Sequence, residues 1–136
     1  MICTTRGIVF HTVPYSDSRV VSKIYTEDFG LQSFIIRVSR AKGGKIKSNL
    51  LQPLTQIELV INNRENRTLQ TVREISCNYL YQQIADDIIK TSIALFLSEI
   101  LYKSIKEEEA NRPLFTFISG SLKILDLQQD GVANFH

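Results

Sequence analysis

The sequence predicts a small five-stranded β-barrel followed by the start of an α-helical domain, a β-barrel-plus-α fold class. Up to about Ser76 the chain consists of short extended segments, whereas after Cys77 the apolar residues recur with the period of a helix. Charge divides at the same place, because residues 1–78 carry 11 Lys and Arg against 6 Asp and Glu, whereas residues 79–136 carry 5 against 8. We therefore predict a barrel domain over residues 1–78 and an incomplete helical domain over residues 79–136.

Five extended segments support the barrel: residues 7–13, 19–26, 31–38, 55–61 and 68–75. Alternation with a period of two is clearest in the fourth segment, where Ile57, Leu59 and Ile61 share one face. Pro14 begins a turn after the first segment, and Pro53 requires the fourth strand to start beyond it. Short strands separated by turns are typical of a small antiparallel barrel or sandwich.

A first helix is predicted over residues 79–106, with a broad apolar face that needs cover on more than one side. This face consists of two neighbouring rows: Leu80, Ile84, Ile88 and Leu95, and Tyr81, Ala85, Ile89, Phe96 and Ile100.

A second helix is predicted with Asn111 as its N-cap, Pro113 in its first turn and its end near Gly131. Its apolar side carries Leu114, Ile118, Leu122 and Leu125. Residues 132–136 begin another apolar pattern without completing it, so we expect the chain to be a fragment of a longer protein.

The sequence lacks the motifs of enzymes and metal proteins. Cys3 and Cys77 have no CxxC spacing, and the two histidines, His11 and His136, lie far apart. We therefore expect no enzymatic activity, no cofactor, no metal site and no disulfide framework. There is no secretory signal and no run of about 18 apolar residues, so we expect a cytoplasmic protein without a membrane span.

The main functional feature is a basic run over residues 37–47, RVSRAKGGKIK, within a stretch that has no acidic residue between Asp28 and Glu58. Like charges repel each other unless counter-ions or phosphates neutralise them. The paired glycines Gly43 and Gly44 suggest a loop that could follow a phosphate backbone. The alternative is a solvated basic loop that binds nothing specific.

A five-stranded barrel with a basic loop is the layout of an oligonucleotide-binding fold (OB-fold), which uses the faces of strands 2 and 3 for binding. Tyr25 and Phe34 are candidates for base stacking, although Phe34 alternates in phase with Ile36, which favours a core position. No residue pattern indicates base-sequence readout, so we expect electrostatic binding to phosphates. The candidate binding residues are Arg19, Lys23, Arg37, Arg40, Lys42, Lys45 and Lys47.

Three motifs, in this order and spacing, resemble the amino-terminal half of RecO, a family of bacterial recombination mediators. They are Tyr15-Ser16-Asp17 after the first strand, residues 26–30 (TEDFG) after the second, and residues 51–54 (LQPL) before the fourth. The resemblance covers roughly residues 1–126. In the helical part it concerns chiefly the apolar pattern.

The resemblance implies an OB-fold followed by a helical domain, with the basic barrel surface at Arg37, Arg40, Lys42, Lys45 and Lys47. It implies binding of single- and double-stranded DNA, and annealing of strands coated by the single-stranded DNA-binding protein. It also implies association with RecR to help load RecA, in the cytoplasm at the nucleoid. Because residues 79–136 are net negative, we expect the barrel to hold DNA and the helices to face away. The alternative is a protein-interaction scaffold with an incidental basic loop.

Overall fold

The computed structural model describes residues 2–38, 48–62, 64, 68–84, 87–106 and 109–127. Within these ranges the chain forms five strands, a short 3₁₀ helix and two α-helices. The elements are β1 (Ile2–Pro14), β2 (Arg19–Thr26), β3 (Gly30–Arg37), the 3₁₀ helix (Ser48–Leu51), β4 (Gln56–Asn62), β5 (Leu69–Tyr79), α1 (Ile88–Ser104) and α2 (Arg112–Leu127).

The five strands close into a barrel in the order β1-β2-β3-β5-β4. Neighbouring strands are antiparallel, except that Ser33–Ile35 of β3 runs parallel to Leu69–Thr71 of β5. This arrangement is the five-stranded OB-fold followed by helices, which confirms the predicted fold class. Strand β1 is longer than predicted because its first half pairs with β4 and its second half with β2.

Alternate strand positions fill the barrel with apolar side chains. Ile57, Leu59 and Ile61 of β4 are fully buried, as their alternation predicted. Phe34 and Ile36 of β3 lie in the same interior cluster. Burying a side chain of this size contributes about 1.5–3 kcal/mol relative to leaving it in water.

The predicted start of the first helix was wrong. Strand β5 continues to Tyr79, where it pairs with Gln56, and α1 begins only at Ile88. The side chain of Asp87 caps the helix by accepting hydrogen bonds from the N–H groups of Ile89 and Lys90. The apolar residues that precede this cap therefore do not belong to α1, although they continue its apolar pattern in the sequence.

The face through which α1 packs differs from the predicted apolar rows, which lack cover in this chain. The helix buries Lys90, Ala94 and Ser98. Small side chains let a helix approach a strand closely, and here the Ser98 hydroxyl donates to the carbonyl oxygen of Phe10 at 3.1 Å. The larger apolar residues of the predicted rows remain exposed: Ile88, Ile89, Leu95, Phe96 and Ile100.

Helix α2 follows its prediction over the described residues. The N–H of Leu114 donates to Oδ1 of Asn111 at 3.1 Å, which is the expected N-cap bond. Ile118, Leu122 and Leu125 are buried. The predicted end near Gly131 lies outside the described residues.

The helices share an apolar cluster with the outer surface of the barrel. Phe115 of α2 packs against Tyr25 of β2, with ring centroids 6.1 Å apart, and Tyr25 stacks on Phe10 of β1 at 5.5 Å. Gln56 of β4 binds α2 twice, since it donates to the carbonyl oxygen of Ser119 at 3.1 Å and accepts from its hydroxyl at 2.6 Å. The exact domain boundary between residues 78 and 79 stays a prediction.

Asp126, fully buried near the end of α2, joins that helix to the connection that follows β5. Its carboxylate accepts hydrogen bonds from the N–H groups of Gln82, Gln83 and Ile84 at 2.8–2.9 Å and from the Tyr79 hydroxyl at 3.0 Å. Burial alone would raise the pKa of Asp126, but these four hydrogen bonds stabilise the ionised form and bring its pKa below the ordinary value.

Candidate nucleic-acid interface

Two arginines face each other on the outer surface of the barrel. The turn after β1 places Arg19 at the start of β2, because the N–H groups of Tyr15 and Ser16 donate to its carbonyl oxygen at 2.9 and 3.1 Å. Arg37, the last residue of β3, is the direct antiparallel partner of Arg19, and both side chains are exposed. Like charges directly opposite each other destabilise a sheet. Within the described ranges no carboxylate pairs with either guanidinium, so this position favours an anion from outside.

Below this pair, the same surface presents an apolar row. Val13 of β1 pairs with Val21 of β2, which in turn pairs with Ile35 of β3. Val13 is 41% exposed, and the other two are partly exposed. The row offers a shallow apolar surface across three strands, directly beside two cationic side chains.

Lys23 lies one row further along β2, about 13 Å from the level of Arg19 at the usual rise of a strand. It pairs with His11 of β1 and Ser33 of β3. Its ammonium lies 5.9 Å from the ring centroid of Tyr102 in α1. The structure therefore places Arg19, Lys23 and Arg37 on one face, with the apolar row between them.

The sequence did not identify Tyr102 or His11 as part of this surface. Their rings are stacked, with centroids 4.4 Å apart and an interplanar angle of 14°. A bulge in β1 between Val9 and His11 sets the register that brings His11 beside Lys23. No local signal could have revealed this contact, because Tyr102 is distant in sequence and its helix was predicted to face another way.

Neither predicted stacking aromatic can contact a base. Phe34 is 0% exposed inside the barrel, as its alternation indicated, and Tyr25 is 1% exposed beneath the helices. The remaining candidate residues, Arg40, Lys42, Lys45 and Lys47, lie outside the described residues, so their role stays a prediction from the sequence.

Two further findings concern the described part of the chain. Its His, Cys, Asp and Glu side chains form no group of three or more that could hold a metal ion. Among its helices, none is both long and apolar enough to cross a membrane.

Comparison with known proteins assigns the family. The family model described as recombination protein O N terminal matches residues 1–81, and the one described as recombination protein O C terminal matches residues 85–136. The chain belongs to the RecO family. The resemblance carried by the three sequence motifs is thereby confirmed.

Curated RecO relatives match the whole chain. The proteins named DNA repair protein RecO from Bacteroides fragilis and Phocaeicola vulgatus are 40% and 37% identical to it over 136 residues. The RecO of Christiangramia forsetii is 34% identical over 137 residues. The chain covers 56–57% of the length of these relatives, so it spans little more than half of a RecO protein.

Proposed function

We propose that this chain is the DNA-binding part of a recombination mediator that binds single- and double-stranded DNA through the outer face of β1, β2 and β3. The proposal is for binding to the phosphate backbone without strong base preference. Through this binding, the chain contributes to the annealing of strands coated by the single-stranded DNA-binding protein. Together with RecR, it contributes to the loading of RecA. We propose a binding role and no enzymatic activity, in the cytoplasm at the nucleoid.

The opposed pair Arg19 and Arg37 is the observation that carries this proposal. A protein gains nothing in folding stability from two guanidinium groups on directly opposite strand positions. A phosphate between or beside them would remove the repulsion and add charge-assisted hydrogen bonds. Lys23 supplies a third cation on the same face, and the row formed by Val13, Val21 and Ile35 can contact sugars or bases between the cations.

A second function, docking of a protein partner, is favoured by α1. Leu95 and Phe96 are each more than half exposed on its outer side, and Ile100 is 45% exposed. An apolar surface of this kind favours association with another protein. RecR and the single-stranded DNA-binding protein are the partners that the family resemblance suggests.

The proposed function is tested by measuring the affinity for a fluorescent oligo(dT) strand at several salt concentrations. If about five phosphates are contacted, log K should fall against log salt with a slope near −3.5. The double variant Arg19→Gln/Arg37→Gln should weaken binding equally for strands of different sequence. It should also reduce the steepness of log K against log salt by about 0.7 to 1.4. The same variant should melt slightly higher than the wild type, because the cross-strand repulsion is removed.

The matched control is Arg64→Gln/Arg73→Gln, which removes the same charge from exposed positions near and on β5. This control should bind DNA almost as tightly as the wild type. Equal weakening in both double variants would mean that only net charge matters. Binding that does not change with salt would contradict the phosphate mechanism.

A further inference from the structure

A second group of cations lies beside this face, at the junction between the barrel and α1. It lines a pocket of about 170 Å³ formed by Lys23, Leu31 and Ser33 of the barrel with Tyr102, Lys103 and Lys106 at the end of α1. No carboxylate is among these lining residues. Three lysine side chains, one serine and one tyrosine therefore line one small volume.

The chemistry of this pocket fits an anion with several oxygen acceptors. Ammonium and hydroxyl groups all donate hydrogen bonds. The volume is below the range of about 300–1,000 Å³ that is usual for sites of drug-sized molecules. The pocket is therefore sized for one charged group of a larger ligand rather than for a whole nucleotide.

The lysines at the end of α1 also have a structural role, because cations near a helix C-terminus interact favourably with the helix dipole. Lys103 in addition forms an exposed ion pair with Glu99 at 3.6 Å, and pairs of this kind contribute little to stability. Neither role concerns Lys23, which belongs to a different element and lines the same pocket. Its ammonium lies over the ring of Tyr102, which is itself stacked on His11.

We propose that this pocket binds a backbone phosphate of the same DNA strand that contacts Arg19 and Arg37. The inference rests on the proposed function and extends it from the barrel onto α1. Lys23 belongs to both surfaces, so the cations from Arg19 to Lys106 lie along one face, with the apolar row of Val13, Val21 and Ile35 between Arg19 and Lys23. The end of α1 then contacts DNA although residues 79–136 are net negative, which restricts the sequence-based expectation that the helices face away.

The test compares Lys103→Gln/Lys106→Gln with the control Arg64→Gln/Arg73→Gln, again with fluorescent oligo(dT). Loss of one phosphate contact should weaken binding roughly three- to tenfold near 0.1 M salt and reduce the steepness of the salt dependence by about 0.7, with the control unchanged. The single variant Lys23→Gln should show a similar change. A photoreactive strand should label the peptide that contains Tyr102 in the wild type.

The outcomes separate this inference from the proposed function. If Arg19→Gln/Arg37→Gln weakens binding but Lys103→Gln/Lys106→Gln behaves like the control, DNA is held by the barrel alone and the pocket proposal is wrong. If the wild type does not bind oligo(dT), both proposals are wrong. A further experiment titrates the protein with inorganic phosphate and follows the NMR amide resonances of residues 102–106. Binding of inorganic phosphate without any effect of the variants on DNA affinity would assign the pocket to a free anion and overturn the proposal.

Discussion

Replacing Asp126 by Ala should destabilise the fold by about 3–5 kcal/mol, because the substitution leaves four hydrogen-bond donors, the buried Ile84 N–H among them, without their charged acceptor. Three of these donors are successive backbone N–H groups, from Gln82 to Ile84, which cannot reorient independently. The main-chain carbonyl of Asp126 also accepts a hydrogen bond at 2.9 Å from the buried Lys90 ammonium, so a shift of α2 would disturb that group too. Chemical denaturation monitored by circular dichroism measures the change.

The same carboxylate should make stability depend on pH. Because the folded-state pKa of Asp126 lies below its unfolded value, its contribution is fully present above about pH 4 and is lost as the pH falls through the folded pKa. Asp126→Asn should remove this contribution and flatten the decrease in melting temperature as the pH falls below about 4. Glu74→Gln, which neutralises an exposed carboxylate on β5, is the matched control. An equal flattening in the control would mean that general charge repulsion, rather than Asp126, causes the acid sensitivity.

The sequence predicted the barrel well because its strands alternate with a clear period of two. The alternation alone assigns Phe34 and Ile36 to the interior, where both are buried. Long-range pairing was not predictable in this way. The parallel contact between β3 and β5 and the extension of β5 to Tyr79 depend on partners that lie far away in the sequence.

Helix α1 shows where apolar periodicity fails. The predicted apolar rows indicated one face, but the helix packs through another, where Ile93, Leu97 and Leu101 flank the small Ala94 and Ser98. The buried Lys90 is stabilised by hydrogen bonds to Gln83 and to the main chain of Asp126, and a pattern based on hydrophobicity does not register such bonds. Which face of a helix is buried depends on small side chains and on such hydrogen bonds as much as on its apolar residues.

Only the charged residues of the candidate interface could be predicted from the sequence. Arg19, Lys23 and Arg37 were identified from the roles of strands 2 and 3 in OB-folds, and the structure places them on one face. The contact of Lys23 with Tyr102 required the register of β1 and the position of α1, and neither can be obtained from residue types alone. Tyr25 lies on the outer surface of the barrel, as DNA contact would require, but the helices cover it.

The turn from β2 to β3 depends on Gly30 for two independent reasons. Its φ of +69° lies in the left-handed region, which costs an L-residue about 1–2 kcal/mol. A Cβ at this position would also clash with the carbonyl oxygen of Glu109, a backbone atom that cannot move as a side chain can. The turn itself is held by Thr26, whose hydroxyl donates to the Gly30 carbonyl at 2.7 Å and accepts from the Phe29 N–H at 3.0 Å.

Gly30→Val should therefore destabilise the fold by about 2–5 kcal/mol, the sum of the backbone cost and of the overpacking against residue 109. Since residue 109 lies just before α2, the substitution should loosen the contact between that helix and the barrel as well as the turn. Gly120→Ala is the matched control, because a Cβ there meets no atom within 4 Å and alanine favours a helix interior by about 0.5–1 kcal/mol. Urea denaturation of both variants, with amide exchange of residues 112–127 as a second readout, tests the argument. A Gly30→Val protein as stable as the wild type would mean that residues 26–30 can adopt another turn without losing the packing of α2.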